Sequence, residues 1–255
     1  MQSLIQASND AGWLANLLGI LTFIGACAGL FYRFVRPRLK PASLDKIIPP
    51  DFAVKWSPVR AKSWARIAIV DDQPNDFPIA DLRSDGYQIQ VYKQANLTTT
   101  GQLANYDIVF LDMKGIVKDD PEMGGLKLIA ELRRVNPRQK ICAVSSKTFD
   151  PTATDFFRQA NDYRKKPLTA HECRAVIDTF LMELFPADRL RTEGRRPIDR
   201  LNRNVRIAAV AEVSKFIRAE STEAKLLDRL QQLGLSLSEA HDTMNLARAV
   251  ADETA

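Results

Sequence analysis

The chain of 255 residues offers little soft-metal or redox chemistry: three cysteines, Cys27, Cys142 and Cys173, and two histidines, His171 and His241. No two cysteines form a CxxC pair, and each lies in a different apolar stretch. That scarcity argues against a zinc site and a disulfide framework, and a reducing compartment is the simpler reading. An acidic balance is also missing, since 36 Lys and Arg stand against 31 Asp and Glu for a formal net charge of +5. The excess is local. Residues 33–40 (RFVRPRLK) hold four basic residues and no acid, and residues 189–206 hold seven arginines against Glu193 and Asp199. The charge therefore describes segments rather than a whole surface. At 45% hydrophobic, the composition is that of a folded chain able to bury one substantial core and a second, small unit.

Charge is absent altogether from Trp13 to Tyr32, twenty residues reading WLANLLGILTFIGACAGLFY. At 1.5 Å of rise per residue this run spans roughly 30 Å of hydrocarbon, which predicts a transmembrane helix over residues 13–33. A cleavable signal peptide places positive charge before its apolar run, whereas here Asp10 precedes the run and the basic cluster follows it. The positive-inside bias then leaves residues 1–12 as a short extracytoplasmic tail and puts everything after the span in the cytoplasm, at the inner or plasma membrane. Gly25 and Gly29 form a GxxxG spacing, which would let two such helices approach closely as a homodimer. Residues 34–63 carry Pro37, Pro41, Pro49, Pro50 and Pro58, five of the thirteen prolines, and read as a semi-extended linker without helix.

Beyond the linker, short apolar segments alternate with helical patterns. The strand candidates are 66–70, 87–92, 107–111, 140–144 and 162–165, each apolar or β-branched. Residues 126–135 (LKLIAELRRV) have helical spacing and stop at Asn136-Pro137; a helix from Pro151 to Ala160 opens on Asp150-Pro151, and another from Thr169 to Leu184 opens on a capping box with Glu172. Such alternation predicts an α/β domain over residues 64–185, a doubly wound five-stranded parallel sheet whose ligands gather at the carboxyl ends of the strands. Those ends carry Asp71 and Asp72 (IAIVDD), Asp112 (VFLD), Ser145 and Ser146 (AVSS) and Lys166 before Pro167 (DYRKKP). Three converging carboxylates repel one another unless a cation intervenes, and a hard divalent ion such as Mg²⁺ suits an all-oxygen donor set. Taken singly, each residue has a structural reading: Asp72 as an N-cap, Ser145 as a small core residue, Tyr163 as a packing aromatic, Lys166 as a solvated lysine. The four motifs in order, each at a strand end, favour a single site.

This pattern resembles the receiver domain of two-component response regulators over about residues 64–185, half of the chain. The resemblance implies a flavodoxin-like fold and signal transduction without an output enzyme activity. By it, Asp112 is the phosphoacceptor that attacks the phosphorus of a phosphohistidine, and Asp71, Asp72, Asp112 and the backbone carbonyl of Lys114 hold Mg²⁺. Ser145 and Lys166 bind the phosphoryl oxygens, Tyr163 is the switch aromatic, and a histidine kinase or phosphotransfer protein is the partner. The chain departs from the pattern after Asp112. The stretch DMKGIVKDDPEMGG lacks the usual proline three residues on and is several residues longer, and only thirteen residues separate Asp72 from Gly86. A pseudo-receiver that acts through protein contacts without phosphorylation is the alternative from another class.

Residues 186–255 read as a helical region: the arginine-rich stretch 189–206, helical patterns over 205–219 and 223–233, a stop at Gly234, and a helix after Ser236, with Glu239 in a capping-box position, to about Ala251. Helix, glycine turn, helix invites comparison with DNA-binding helix-turn-helix proteins. The last helix (EAHDTMNLARA) offers few side chains that read bases, so nucleic acid is not the expected partner. A helical appendage, or an arginine stretch touching anionic head groups, accounts for the region without DNA.

Overall fold

The structure, a computed structural model, describes residues 20–27, 43–96, 100–146 and 151–254. Residues 20–27 are helical; the remainder of the expected span 13–33, including Gly29, and residues 1–12 and 34–42 lie outside the described residues. Among the described residues, no helix is long and apolar enough to cross a membrane. The chain forms two compact units, one comprising Pro50–Glu193 with the chain end from Asp252, the other Gly194–Ala251 with the segment up to Pro49.

The first unit is built on β1 (Arg66–Val70), β2 (Gln88–Tyr92), β3 (Ile108–Asp112), β4 (Lys140–Ser145) and β5 (Asp162–Lys165), all parallel in the order 2-1-3-4-5. That order is the flavodoxin-like one, with a switch between β1 and β3. Its helices are α1 (Ile79–Ser84), α2 (Thr100–Leu103), α3 (Gly124–Val135), α4 (Pro151–Gln159) and α5 (Ala170–Leu184). They fall into two neighbouring groups, α1 with α5 and α2 with α3 and α4, as expected for a parallel sheet covered on both faces.

Alternation along each strand divides the core. Ala68, Val70, Val109, Leu111, Ile141 and Ala143 join Leu103, Leu128, Ile129, Leu132 and Phe156 in one apolar cluster. Their strand neighbours Ile67, Ile69, Ile108, Phe110, Cys142 and Val144 are equally buried and point the other way, where Phe77 meets Phe110 edge-on at 5.9 Å. The predicted capping box of α5 is formed: Thr169 N–H donates to Glu172 Oε2 at 2.8 Å and Glu172 N–H donates to Thr169 Oγ1 at 3.3 Å. Helix α3 starts at Gly124, two residues before the sequence pattern indicated, because Asp120 accepts hydrogen bonds from Met123 and Gly124 N–H groups at 3.1 and 2.8 Å.

The expected helix-free linker is corrected. Leu44–Lys46 and Pro58–Ser63 form 3₁₀ turns and Phe52–Lys55 a one-turn helix. Pro58 stands in the first turn of its element, where a missing N–H costs nothing, so proline content alone did not exclude helix. Aromatic burial fixes the part from Phe52 to Trp64 in the first unit. Phe52 and Trp56 are buried; Trp56 stacks with Phe52 at 6.0 Å and Trp64 at 6.3 Å, and its indole N–H donates to the Phe185 carbonyl at 2.9 Å.

Within the region read as helical from residue 186, the arginine-rich stretch itself forms a helix, α6 (Ala187–Asp199). Its i,i+4 pairs Arg189–Glu193 at 3.1 Å and Arg195–Asp199 at 3.2 Å offset the charge, and Pro197 lies within it, which masked the pattern. Helices α7 (Arg203–Ile217), α8 (Glu223–Gln232) and α9 (Leu237–Thr254) follow. Gly234 turns the chain at φ +97°, and Ser236 and Glu239 exchange capping hydrogen bonds at 2.9 and 3.3 Å. The second unit buries Leu44, Ile198, Val210, Val213, Leu226, Leu230, Met244 and Ala247; within it Arg195 pairs with Asp45 at 2.7 Å, Arg200 with Glu239, and Arg248 with Glu223.

Candidate functional site

Register brings the strand ends together. Val70 pairs with Leu111, and Asp112 pairs with Val144, so Asp71 and Asp112 leave neighbouring strands at the same level and Ser145 follows one step on. Asp112 and Ser145 are the last residues of β3 and β4 rather than the first beyond them. Asp71 is fully buried, Asp112 and Ser145 nearly so, and Asp72 is exposed. One oxygen from each of Asp71, Asp72 and Asp112 lies within 4.8 Å of the others.

Lys166 enters the same rim from the end of β5. Its Nζ donates to Asp112 Oδ2 at 2.5 Å and to Asp71 Oδ1 and Oδ2 at 3.1 and 2.9 Å, with the side chain 5% exposed. Its peptide bond to Pro167 is cis. Asp71 Oδ1 also accepts from Gln73 N–H at 2.8 Å, and Asp112 Oδ1 accepts from Met113 N–H at 2.7 Å. Burial pushes the Asp112 carboxyl above its ordinary value, the opposing pull of Lys166 notwithstanding, and neighbouring Asp71 adds to the rise. For Lys166 burial works against the charged form, but hydrogen bonds and charge from Asp112 and Asp71 prevail and hold the ammonium above its ordinary value.

Three carboxylates against one ammonium leave this centre with an excess of negative charge. A fourth acid, Asp76, reaches within 3.9 Å of Lys166 Nζ; sequence reasoning passed over it. The signal was Pro74, which opens a 3₁₀ turn at Pro74–Asp76 and folds the chain after Asp72 back over the strand ends, where the Asp76 carbonyl accepts from Leu168 N–H at 2.9 Å. An all-oxygen set of this compactness fits a hard divalent ion. The chain makes room for the Asp72 carboxylate: Gly115, at φ +78°, is so close to it that a Cβ there would lie 2.7 Å from Asp72 Oδ2.

Tyr163 on β5 is 64% exposed, its ring 5.4 Å from that of Phe157, on the outer surface rather than turned towards the acids. The Lys114 side chain pairs with Glu122 at 2.6 Å. The longer loop after Asp112 is folded in, with Met113, Ile116 and Val117 buried, and Ala95 bridges to Val117 across the end of β1.

No protein-family model matches this chain, and no curated protein matches it either. Among solved structures, it is similar to a CheY-like response regulator receiver domain protein from Methanospirillum hungatei JF-1, at 22% identity, covering 47% of this chain and 94% of that one with a TM-score of 0.38. A two-component response regulator from Clostridium difficile is similar at 21% identity over 47% and 98% of the two chains, TM-score 0.39. The BeF3-activated receiver domain of DrrB is similar at 19% identity over 46% and 96%, TM-score 0.36.

Proposed function

We propose that the chain is a membrane-tethered receiver that accepts a phosphoryl group on Asp112 and thereby switches a protein-interaction surface. The observation that carries this reading is the contact of one buried ammonium, Lys166, with both Asp112 and Asp71 beside the exposed carboxylate of Asp72. A carboxylate oxygen of Asp112 forms the bond to phosphorus as the P–N bond of a phosphohistidine breaks, and the departing imidazole takes up a proton. Lys166 then pairs with the phosphoryl oxygens in place of the carboxylate, and Ser145, one register step from Asp112, donates its hydroxyl to them. Asp71, Asp72, Asp112 and the Lys114 carbonyl would hold Mg²⁺, which supplies charge neutralisation for the transferring group when bound. Tyr163, outward in this structure, then follows the hydroxyl inward, which changes the surface it shares with Phe157.

The phosphodonor is a histidine kinase or phosphotransfer protein. The uncharged run 13–32 anchors the chain at the inner or plasma membrane with the receiver in the cytoplasm, and Gly25 and Gly29 allow a homodimer there. Labelling by a small phosphodonor tests the reading: it should require Mg²⁺, vanish in Asp112→Asn and persist in Asp107→Asn, whose carboxylate accepts from Arg66 N–H away from the site. Signalling unchanged in a strain carrying Asp112→Ala supports instead a scaffold that never uses phosphorylation.

A further inference from the structure

The loop that departs from the receiver pattern meets Asp72 at Gly115. Asp71 and Asp112 are each fixed by hydrogen bonds, from Lys166 and from the backbone N–H groups of Gln73 and Met113. Asp72 is not: among the described residues no hydrogen bond or ion pair holds its carboxylate. What bounds it is the backbone of Gly115. A Cβ on that residue would lie 2.7 Å from Asp72 Oδ2, 3.0 Å from Cγ and 3.5 Å from Oδ1, so the Oδ2 end of the carboxylate rests where a side chain would stand. The loop has little freedom to yield. Gly115 N–H donates to the Pro121 carbonyl at 2.9 Å, Ala95 N–H donates to the Ile116 carbonyl at 2.7 Å, and Ile116 and Val117 are buried. Gly124 closes the same loop against Val117, whose Cβ would be 2.3 Å from a Cβ at position 124.

We infer that Gly115 is a positioning residue for the divalent cation: its missing side chain leaves the Asp72 carboxylate a seat beside Asp71 and Asp112, and the anchored loop holds that seat in place. The inference rests on the acidic-site reading above. A side chain at 115 pushes Asp72 out of the cluster, and the cation loses a ligand it cannot recover from the other two acids.

The test is Mn²⁺ binding to the full chain in detergent, followed by electron paramagnetic resonance, with thermal melting in chelator alongside. Gly115→Ala should weaken Mn²⁺ about 10–100-fold, the loss typical of residues that orient metal ligands. Gly86→Ala is the matched control, because Gly86 also has positive φ, +93°, with nothing within 4 Å of its would-be Cβ. It carries the same backbone strain and should melt lower while binding Mn²⁺ as tightly as the wild type. Should Gly115→Ala fail to fold, Gly115→Asn places a Cβ at the same point on a residue that tolerates the left-handed region. Wild-type affinity in a folded Gly115 variant overturns the inference alone, as does an equal loss in Gly86→Ala. A wild-type chain that binds no Mn²⁺ overturns the acidic-site reading and this inference with it.

Discussion

Lys166 Nζ lies 2.5 Å from Asp112 Oδ2 and 2.9 Å from Asp71 Oδ2, one ammonium shared by two buried carboxylates. Removing it leaves both acids uncompensated in a site from which water is largely excluded. Breaking a buried ion pair from one side costs about 3–5 kcal/mol. Lys166→Met should therefore lower unfolding free energy by that order in chelator, with part of the loss restored by millimolar Mg²⁺. Urea unfolding in the two conditions measures it; an unaltered midpoint in chelator contradicts the geometry.

The same lysine sets a pH dependence. Its folded-state value is raised above 10.5, so its stabilisation is fully present below pH 10.5 and is lost as pH rises through the higher folded value. Wild-type protein should lose stability faster than Lys166→Met above pH 10.5, and the difference between them should shrink. Chemical unfolding of the pair across that range in chelator reads the effect, and parallel curves would remove it.

Trp56 ties the segment before β1 into the sheet unit through its bond to Phe185 and its contacts with Phe52 and Trp64. Trp56→Ala should cost about 3–5 kcal/mol, as large-to-small changes of buried aromatics do, and a chain starting at residue 64 should melt well below one starting at residue 43. Equal melting temperatures would return the segment to the status of a spacer.

The cysteines should separate cleanly. Cys142 and Cys173 are buried and Cys27 is exposed. Burial pushes Cys173 up to about 12 and raises Cys142 further, so neither supplies thiolate, the reactive form, near neutral pH. In a Cys27→Ser background, which removes the cysteine of the proposed membrane span, a thiol reagent should modify neither remaining cysteine in the native protein and both in denaturant. Rapid labelling of Cys142 would mean that β4 is not buried as described.

The centre of the sheet was legible because β1, β3 and β4 are apolar runs that end abruptly in polar residues. Ile67–Val70 into Asp71 and Val109–Leu111 into Asp112 mark both the strand and its functional tip. Lys166 and the three aspartates were readable for the same reason, since parallel strands in register put their ends side by side. Other features depend on tertiary contacts that leave little trace in spacing. Trp56 anchors a proline-rich stretch through Phe185, 129 residues away, and α6 is hidden by Pro197 and its arginines. Asp76 reaches the site only because a 3₁₀ turn doubles the chain back, and Gly115 matters through a side chain it does not have.

The proposed switch depends on Asp112 accepting phosphorus. Exposing the full chain to a small phosphodonor with Mg²⁺, trapping the acyl phosphate with borohydride and mapping the peptides tests it most directly. Modification at Asp112 should appear and should disappear when Mg²⁺ is chelated. No modification, or modification at another aspartate with Asp112 intact, would contradict it.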